Sequence, residues 1–347
     1  MADEQQGWKI AGLAILPIRF VQGWIFWGGG SRRFIYDPAK LDPYAHSWMA
    51  NKLQSAMPGA ILGVGHLISF ILQHFALLYV SILIFSLVEL VSGLGLIVGS
   101  LTRFCGFTTM LISIVLMLAF GWQGATCMDE WTMAVATFAM GFALALSGAS
   151  IYSIDHLLIK KYPALNTNKW FVLFGSGIPK NLSSFKKIAL IFLTFTVVFT
   201  LFTYNYYRGS ILTPYHLGPV IASKHHFKLS DGEIKPNGFI TFTLYVDEGT
   251  PALPSNIIRI ELLTSANHIA ADWDGGALSS LPKDNIKNDY SYNRVTTGEY
   301  GLVAPLSAKA SITLAVKSAP TLNKDKQYHL VLFTINGERF EMSLKKS

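Results

Sequence analysis

The stretch "FALLYVSILIFSLVELVSGLGLIVG", residues 75–99, decides the fold. Glu89 is the single charged side chain within it. The run exceeds the roughly 20 apolar residues that an α-helix needs to cross a bilayer. The sequence therefore predicts a transmembrane helix, and a composition that is 51% hydrophobic and 14% charged indicates an integral membrane protein.

Four further apolar runs are long enough to cross the hydrocarbon core, the last only just. They are residues 10–28, 104–122, 131–150 and 188–205. The first of them is interrupted by Pro17 and Arg19, whereas the others contain no charge once inside. The prediction is a four-helix membrane bundle with a fifth, linking helix.

The loop between the fourth and fifth spans predicts the orientation. Its single acid is Asp155, against a set of lysines: Lys160, Lys161, Lys169, Lys180, Lys186 and Lys187. Because basic loops stay on the cytoplasmic side, this loop and the N-terminus are predicted to lie on the cytoplasmic side of the plasma membrane. Residues 29–74, "GATCMDEW" (124–131) and the chain after the fifth span are then outside. The long first outer loop also contains arginines and lysines, which is not expected of an outer loop, although long loops count less in predicting the orientation.

Residues 44–74 are apolar but are broken by Pro58 and several glycines. Such a segment is typical of an interfacial or re-entrant helix and not of a sixth full span. We expect it to cap the helical bundle on its outer side.

From Lys224 onward the pattern changes to short alternating or β-branched runs separated by turn residues. The clearest are "FITFTLYV", "NIIRIELL", "ASITLAV", "YHLVLFTI" and "RFEMSL". Asn336-Gly337 between the last two predicts a hairpin. About seven such strands predict a small antiparallel, Ig-like β-sandwich.

The predicted domain organisation therefore joins two different proteins. Lys186 and Lys187, an apolar run and a secreted-looking β domain together look like the start of an exported protein whose anchor is retained. The predicted segments are a four-helix domain (1–160), a basic cytoplasmic loop (161–187), a fifth helix (188–205) and an extracytoplasmic sandwich (206–347).

Several longer motifs resemble known families. "LPIRFVQGWIFWGGG", "ELVSGLGLIVGSLTRF" and "GATCMDEW" followed by "GFALALSGASIYSIDHLL" are similar to the DoxD/DoxX type of four-helix membrane protein. "SILTPYHLGPVIASKHHFKLSDGEI" and the strands after it are similar to DoxA. Together they resemble the fused DoxD/DoxA form of thiosulfate:quinone oxidoreductase over nearly the whole chain.

This resemblance implies a reaction and its partners. Two thiosulfates would be oxidised to tetrathionate outside the membrane, with a membrane quinone as electron acceptor. The expected partners are thiosulfate, the quinone, the lipid bilayer and, as an option, further copies of the chain, with no nucleic acid. The resemblance supplies no catalytic residues that transfer directly.

Arg19 and Glu89 are each the only charged side chain within their spans. A charge near the bilayer centre costs about 2.5–3.5 kcal/mol on insertion scales. If the first span runs outward from Ile10 and the second inward from Phe75, the two lie at similar depth. We predict that they pair and that one contacts the quinone or relays its protons. A structural ion pair without a redox role is the alternative.

Arg32 and Arg33 follow three glycines, Gly28–Gly30, at the predicted outer end of the first span. A guanidinium beside exposed backbone N–H groups suits the oxygen face of a compact dianion such as thiosulfate. The alternative is that both arginines bind phospholipid head groups.

His66 and His74 lie about two helical turns apart in the outer segment. An imidazole can donate to a quinone carbonyl or accept its protons near neutral pH, so both are candidate quinone ligands. A satisfied structural histidine is the alternative for each.

Cys127 is one of two cysteines, and it precedes Asp129 and Glu130. Its thiolate could hold thiosulfate as a covalent adduct until a second thiosulfate displaces it. The adjacent carboxylates disfavour the thiolate, and they can equally form the cap of the fourth span.

No motif for a metal, flavin, haem or nucleotide is evident. His225 and His226 are adjacent, which points them to opposite faces of a strand, and no Cys-x-x-Cys accompanies them. The glycine-rich runs do not lie in a βαβ unit and are better explained by close helix packing. A non-enzymatic, membrane-anchored scaffold or binding subunit is therefore the alternative function.

Overall fold

The computed structural model describes residues 2–124, 129–179, 181–316 and 327–346. Contacts divide the chain into two compact units. The first contains Met1–Met49, His74–Trp122 and Thr126–Pro219. The second contains Ala50–Gln73, Gln123–Ala125 and Val220–Ser347. The chain therefore crosses from one unit to the other several times.

In the described residues the α-helices are α1 (Ala2–Ala14), α2 (Leu16–Ser31), α3 (Met49–Ala56), α4 (Val64–Gln73), α5 (Phe75–Val98), α6 (Thr102–Phe120), α7 (Glu130–Ser147), α8 (Ile154–Lys161), α9 (Lys169–Phe174), α10 (Leu182–Arg208) and α11 (Gly275–Ser279). A π-helical turn, Arg32–Tyr36, continues α2. Short 3-10 turns lie at Pro38–Leu41, Met57–Gly59, Pro163–Thr167 and Lys283–Asn285.

Helices α5, α6, α7 and α10 are long and apolar enough to cross a membrane. A fifth candidate span is made by α1 and α2 together, and the pair is bent by 48°. The break coincides with Pro17 in the first turn of α2, because proline cannot donate the hydrogen bond that would continue α1. The chain is thus a multi-pass membrane protein, as predicted.

The antiparallel pair α2 and α5 packs closely through glycine. A Cβ atom added at Gly30 would lie 2.6 Å from the backbone nitrogen of Leu90, and one at Gly23 would lie 2.8 Å from that of Ile97. Between them, Gly93 packs directly against Trp27. These contacts confirm that the glycines serve helix packing, and they fix the axial register of the two helices.

Helices α6 and α7 pack in the same manner. A Cβ at Gly106 would lie 2.7 Å from the backbone nitrogen of Ala145, and one at Gly141 would lie 2.8 Å from that of Met110. Small residues at such crossings let helix backbones approach closely, which drives association where no hydrophobic effect operates.

The second unit is built on two β-sheets. The strands are β1 (His226–Ile234), β2 (Phe239–Glu248), β3 (Ser255–Thr264), β4 (Ile269–Trp273), β5 (Ile286–Asn288), β6 (Thr296–Gly298), β7 (Gly301–Ala304), β8 (Lys309–Ala315), β9 (Tyr328–Thr334), β10 (Arg339–Ser343) and β11 (Lys345–Lys346). One sheet has the order β11-β1-β2-β8-β5, and the other has β10-β9-β3-β7-β6 with β4 paired to β3. All pairings are antiparallel except that of β1 with β11.

The predicted sandwich is therefore confirmed, and each of the five quoted strand motifs lies on a strand. Buried and half-buried residues alternate along β2, which places Ile240, Phe242 and Leu244 in the core. The predicted hairpin joins β9 to β10 through a four-residue loop, in which Gly337 takes a φ of 78°. Glycine adopts this left-handed conformation without steric cost.

Residues 50–73 belong to the β unit, and their predicted position as a cap of the helical bundle stays a prediction. Gln54 is fully buried there. Its amide nitrogen donates to the carbonyl of Ser307 at 2.8 Å, and its amide oxygen accepts from the backbone N–H of Asn293 at 2.9 Å. Farther along, the hydroxyls of Ser69 and Tyr290 are 2.7 Å apart. These buried polar contacts anchor the segment to the sandwich.

The loop after α6 also joins this unit. The side chain of Gln123 donates to the carbonyl of Ser55 at 2.9 Å and accepts from Lys52 at 3.0 Å. The second unit thus combines the segment that follows α2, the loop that follows α6 and the chain that follows α10.

Candidate functional site

Glu89 lies on α5 with 6% of its surface exposed. Its carboxylate forms an ion pair with Arg33, which the π-helical turn after α2 presents. The same guanidinium nitrogen lies 3.4 Å from the hydroxyl of Ser86, and the guanidinium carbon lies 5.6 Å from the centre of the Phe85 ring. The pair is thus a charge-assisted contact in an otherwise apolar setting.

The predicted partnership of Glu89 with Arg19 is wrong. The register set by Gly30 and Gly93 places Glu89 level with Gly29 and Arg33, whereas Arg19 is level with Gly99. The physical reason is that α2 and its π-helical turn continue to Tyr36, so the helix extends beyond the predicted end of the span.

Arg19 instead belongs to a second buried cluster near one end of α5. It is 5% exposed, and one of its nitrogens donates to the carbonyl of Tyr152 at 2.6 Å. Within the described residues, its Nε and Nη1 atoms have no hydrogen-bond partner. The acid whose charge acts on it is Asp155.

Asp155 is fully buried at the start of α8, and several donors satisfy it. It accepts hydrogen bonds from the backbone N–H groups of Leu101 and Thr102 at 2.8 and 3.1 Å. The hydroxyls of Thr102 and Ser176 donate to it at 3.1 and 2.6 Å. This carboxylate thus holds the start of α6 to the start of α8.

Arg103 is the residue that sequence reasoning missed. It lies in the first turn of α6 and is 6% exposed. Its guanidinium donates to the carbonyls of Leu146, Val172 and Gly177. The available signal was a lone charge directly preceding the uncharged run that begins at Phe104.

The two outer arginines are not equivalent. Arg32 is exposed, whereas Arg33 is largely buried against Glu89. The predicted nest of free N–H groups at Gly28–Gly30 is wrong, because α2 continues through these glycines to Ser31. Their N–H groups therefore belong to the helical hydrogen-bond pattern, and an anion at this position must rely on the arginine side chains.

The histidines do not share one helix. His66 is on α4 in the second unit, whereas His74 is the N-cap residue of α5 in the first. The chain breaks at His74, where φ and ψ are −121° and 90°. The expected spacing of two helical turns is therefore wrong, and a role in quinone binding stays a prediction for each.

Cys127 lies outside the described residues. Asp129, two residues later, caps α7 by accepting from the backbone N–H of Thr132 at 2.9 Å, and it forms an ion pair with Arg208 at the end of α10. The capping interpretation of Asp129 is thus confirmed. Among the described residues, no group of three or more His, Cys, Asp or Glu side chains could hold a metal ion.

These features define a multi-pass helical membrane protein that carries buried charge clusters in its spans and a β-sandwich outside them. The chain belongs to the DoxD family. Residues 15–194 match the family described as TQO small subunit DoxD, where TQO denotes thiosulfate:quinone oxidoreductase. Residues 222–343 match TQO small subunit DoxA, so both families occur in one chain in that order. The fused arrangement expected from the sequence is confirmed.

Among solved structures, the alkylpurine DNA glycosylase AlkC of Pseudomonas fluorescens, bound to DNA containing an abasic site analog, aligns with 97% of this chain and 98% of its own. The identity is 14% and the TM-score is 0.19. A score this low describes no shared fold, and it carries no argument about function.

Proposed function

We propose that this protein is a membrane-bound thiosulfate:quinone oxidoreductase that oxidises thiosulfate to tetrathionate and reduces a membrane quinone. The observation that carries the proposal is the match of DoxD and DoxA, both TQO small subunits, along a single chain. The buried Arg33–Glu89 pair supports it, because ionisable residues inside spans usually mark substrate or proton pathways.

The reaction balances without a further reactant. Two thiosulfate dianions each give up one electron, and a sulfur–sulfur bond forms between their terminal sulfurs to give tetrathionate. The quinone takes up the two electrons and two protons and becomes a quinol. The protein must therefore bring two dianions together and deliver protons to a site that meets the lipid.

We assign the anion-binding role to Arg32 and Arg33. The exposed Arg32 meets thiosulfate first, and its cationic fork matches sulfonate-like oxygens. Among the described residues, Arg33 uses only Nη1 for Glu89 and Ser86, so its other N–H groups can face the anion. Together they offset the repulsion between two dianions.

Glu89 is assigned to proton transfer. Its carboxylate is nearly buried and, among the described residues, is bonded to one cation, so it can take up a proton from the solvent side and then pass it to the reduced quinone. Arg19 satisfies a backbone carbonyl at another level of α2, which places it in the Asp155 cluster and outside this site.

Cys127 is proposed as a covalent carrier. Its thiolate would form a bond to the terminal sulfur of one thiosulfate while the quinone accepts two electrons and two protons. A second thiosulfate would then attack that sulfur, releasing tetrathionate and the thiolate. A Cys127→Ser variant that retains full activity would remove this step without affecting the roles of Arg33 and Glu89.

We further propose that the membrane is the plasma membrane, with the N-terminus cytoplasmic and the β unit extracytoplasmic. The basic residues of the 156–187 loop support this orientation. Protease treatment of intact and opened cells would test it. Cleavage of the β unit only in opened cells would contradict it.

The decisive test uses the full chain purified in detergent. Thiosulfate-dependent reduction of a water-soluble quinone analogue should occur, with one tetrathionate formed for each quinone consumed. Sulfite in place of thiosulfate is the control for non-specific reduction. Failure of a folded sample to reduce the quinone, together with an absence of tetrathionate, would overturn the proposal.

A further inference from the structure

A large apolar cavity lies within the first unit, apart from the Arg33–Glu89 pair. It has a volume of about 690 Å³ and is lined by residues of α6, α7, α9 and α10. Phe104, Phe107, Phe142 and Phe192 form much of its wall. The volume falls in the range of about 300–1,000 Å³ that is usual for small-molecule sites.

Arg103 lines one wall of this cavity, and not all of its guanidinium nitrogens have a hydrogen-bond partner among the described residues. Arg103 is 6% exposed, and its Nε and Nη1 atoms donate to backbone carbonyls, including that of Gly177 at 2.6 Å. Within the described part of the chain, its Nη2 atom is buried and has no hydrogen-bond partner. The side chain nevertheless lines the cavity, so its positive charge acts on a ligand bound there.

A second cation lies on the cavity wall. Lys169 begins α9, is exposed, and makes no ion pair with any described residue. The described residues on the wall include no carboxylate. The nearby acid, Asp155, is already engaged by the donors described above. The cavity thus combines an apolar interior with two cations and, among the described residues, no carboxylate on its wall.

The position of the cavity corresponds to the head-group level of a membrane. It lies where α6 and α10 begin and where α7 ends, beside the short helix α9. On α9, Trp170 is 70% exposed and stacks on Phe174 with ring centres 5.8 Å apart. Exposed tryptophan is typical of the boundary between lipid and water.

We propose that this cavity binds an anionic phospholipid. The phosphate accepts a hydrogen bond from Lys169 and lies on the side of the Arg103 guanidinium, and one acyl chain lies along the phenylalanine wall. Charge favours this ligand over a quinone, because a neutral quinone offers no negative charge to the two cations on the described wall. The inference is independent of the proposed redox function.

The test measures lipid retention by native mass spectrometry of the full chain. The detergent-purified protein is incubated with phosphatidylglycerol, phosphatidylcholine or a decyl-quinone analogue. One phosphatidylglycerol per chain should remain bound at activation energies that remove phosphatidylcholine and the quinone. Equal retention of the two lipids, retention of the quinone in their place, or no retention at all would overturn the proposal.

Variants locate the bound lipid. Lys169→Glu should weaken retention of phosphatidylglycerol at least about fivefold, because one juxtamembrane cation contributes about 1 kcal/mol. Lys160→Glu changes the same charge on the same loop outside the cavity and should have no comparable effect. Ala145→Leu narrows the cavity without altering charge and should also reduce retention. Unchanged retention in both Lys169→Glu and Ala145→Leu would refute the site.

Discussion

Two of the buried charge clusters in the described part of the helical unit, those of Glu89 and Asp155, differ in how completely they are bonded. The Arg33–Glu89 pair has one carboxylate, one guanidinium and a distant hydroxyl at 3.4 Å. The Asp155 cluster surrounds its carboxylate with two backbone N–H groups and two hydroxyls, and the charge of Arg103 acts on it as well.

This difference indicates which cluster stabilises the fold and which one can take part in the reaction. A buried polar network in which the acid is fully satisfied fixes the chain segments that it joins. A buried pair with few other bonds contributes little net stability, because desolvation offsets most of the attraction. We therefore expect loss of Asp155 to reduce stability, and loss of Glu89 to reduce activity.

The largest effect is expected for Asp155→Ala. The change leaves the N–H groups of Leu101 and Thr102 without an acceptor and the nearby arginines without a counter-charge. Removing one partner of a buried charge network costs about 3–5 kcal/mol of the free energy of unfolding. The measurement is the thermal midpoint of the detergent-purified chain. Asp37→Ala, at a half-exposed surface pair, is the control and should change it little.

Glu89→Gln should have the next largest effect, on activity. Removing a proton-transfer group typically lowers the rate by about 10²–10⁴. Quinone reduction at saturating thiosulfate should fall by at least about 100-fold. The thermal midpoint should fall less than in Asp155→Ala, because the glutamine amide oxygen can still accept a hydrogen bond from Arg33. Glu89→Asp, which keeps the acid, should recover part of the rate. Full activity in a folded Glu89→Gln variant would exclude the proton-transfer role.

Arg32→Ala should produce a smaller change, confined to substrate binding. Because Arg32 is exposed, the variant should fold normally. Loss of one charge-assisted contact with the anion corresponds to about 1.5–3 kcal/mol, so KM for thiosulfate should rise about tenfold or more with kcat nearly unchanged. Lys40→Ala, on the following 3-10 turn, is the control for loss of a nearby positive charge. An equal KM effect in both would mean that Arg32 acts only through long-range charge.

The contrast between the two clusters also shows what a sequence can and cannot predict. Glu89 was correctly predicted to be buried and paired, because a charged side chain within a membrane span is costly unless it faces the bundle interior and pairs with another group. Its partner was not, because partner choice depends on the axial register of α2 and α5. That register follows from where Gly30 and Gly93 allow the backbones to meet, and apolar run lengths do not contain this information.

Polar residues without charge were missed for a related reason. Gln22 is fully buried on α2 and donates to the carbonyl of Thr137 at 2.9 Å. Nothing in its sequence neighbourhood distinguishes it from a lipid-facing glutamine. In the β unit, β2 and β8 were visible through alternation over many residues. The short strands β5 and β6 have three residues each, too few for a period to be read.

The smallest effects are expected for two serine-to-alanine substitutions, each of which removes one hydroxyl from one cluster. They give the most direct comparison of the two clusters. Ser176→Ala deletes a 2.6 Å hydrogen bond to the buried Asp155 carboxylate and removes the acceptor of the Ala149 backbone N–H, which together should cost about 1.5–3 kcal/mol. Ser86→Ala deletes a 3.4 Å contact to Arg33 and a hydrogen bond to the Ile82 carbonyl, which lies within α5, and it retains the bond between Arg33 and Glu89, so its cost should be smaller, below about 1 kcal/mol. Both serines are buried, and the substitution is identical. Equal decreases in the two thermal midpoints would show that the hydroxyls contribute equally to stability in both clusters. The distinction between a stabilising Asp155 cluster and a reactive Glu89 would then rest on the activity of Glu89→Gln alone.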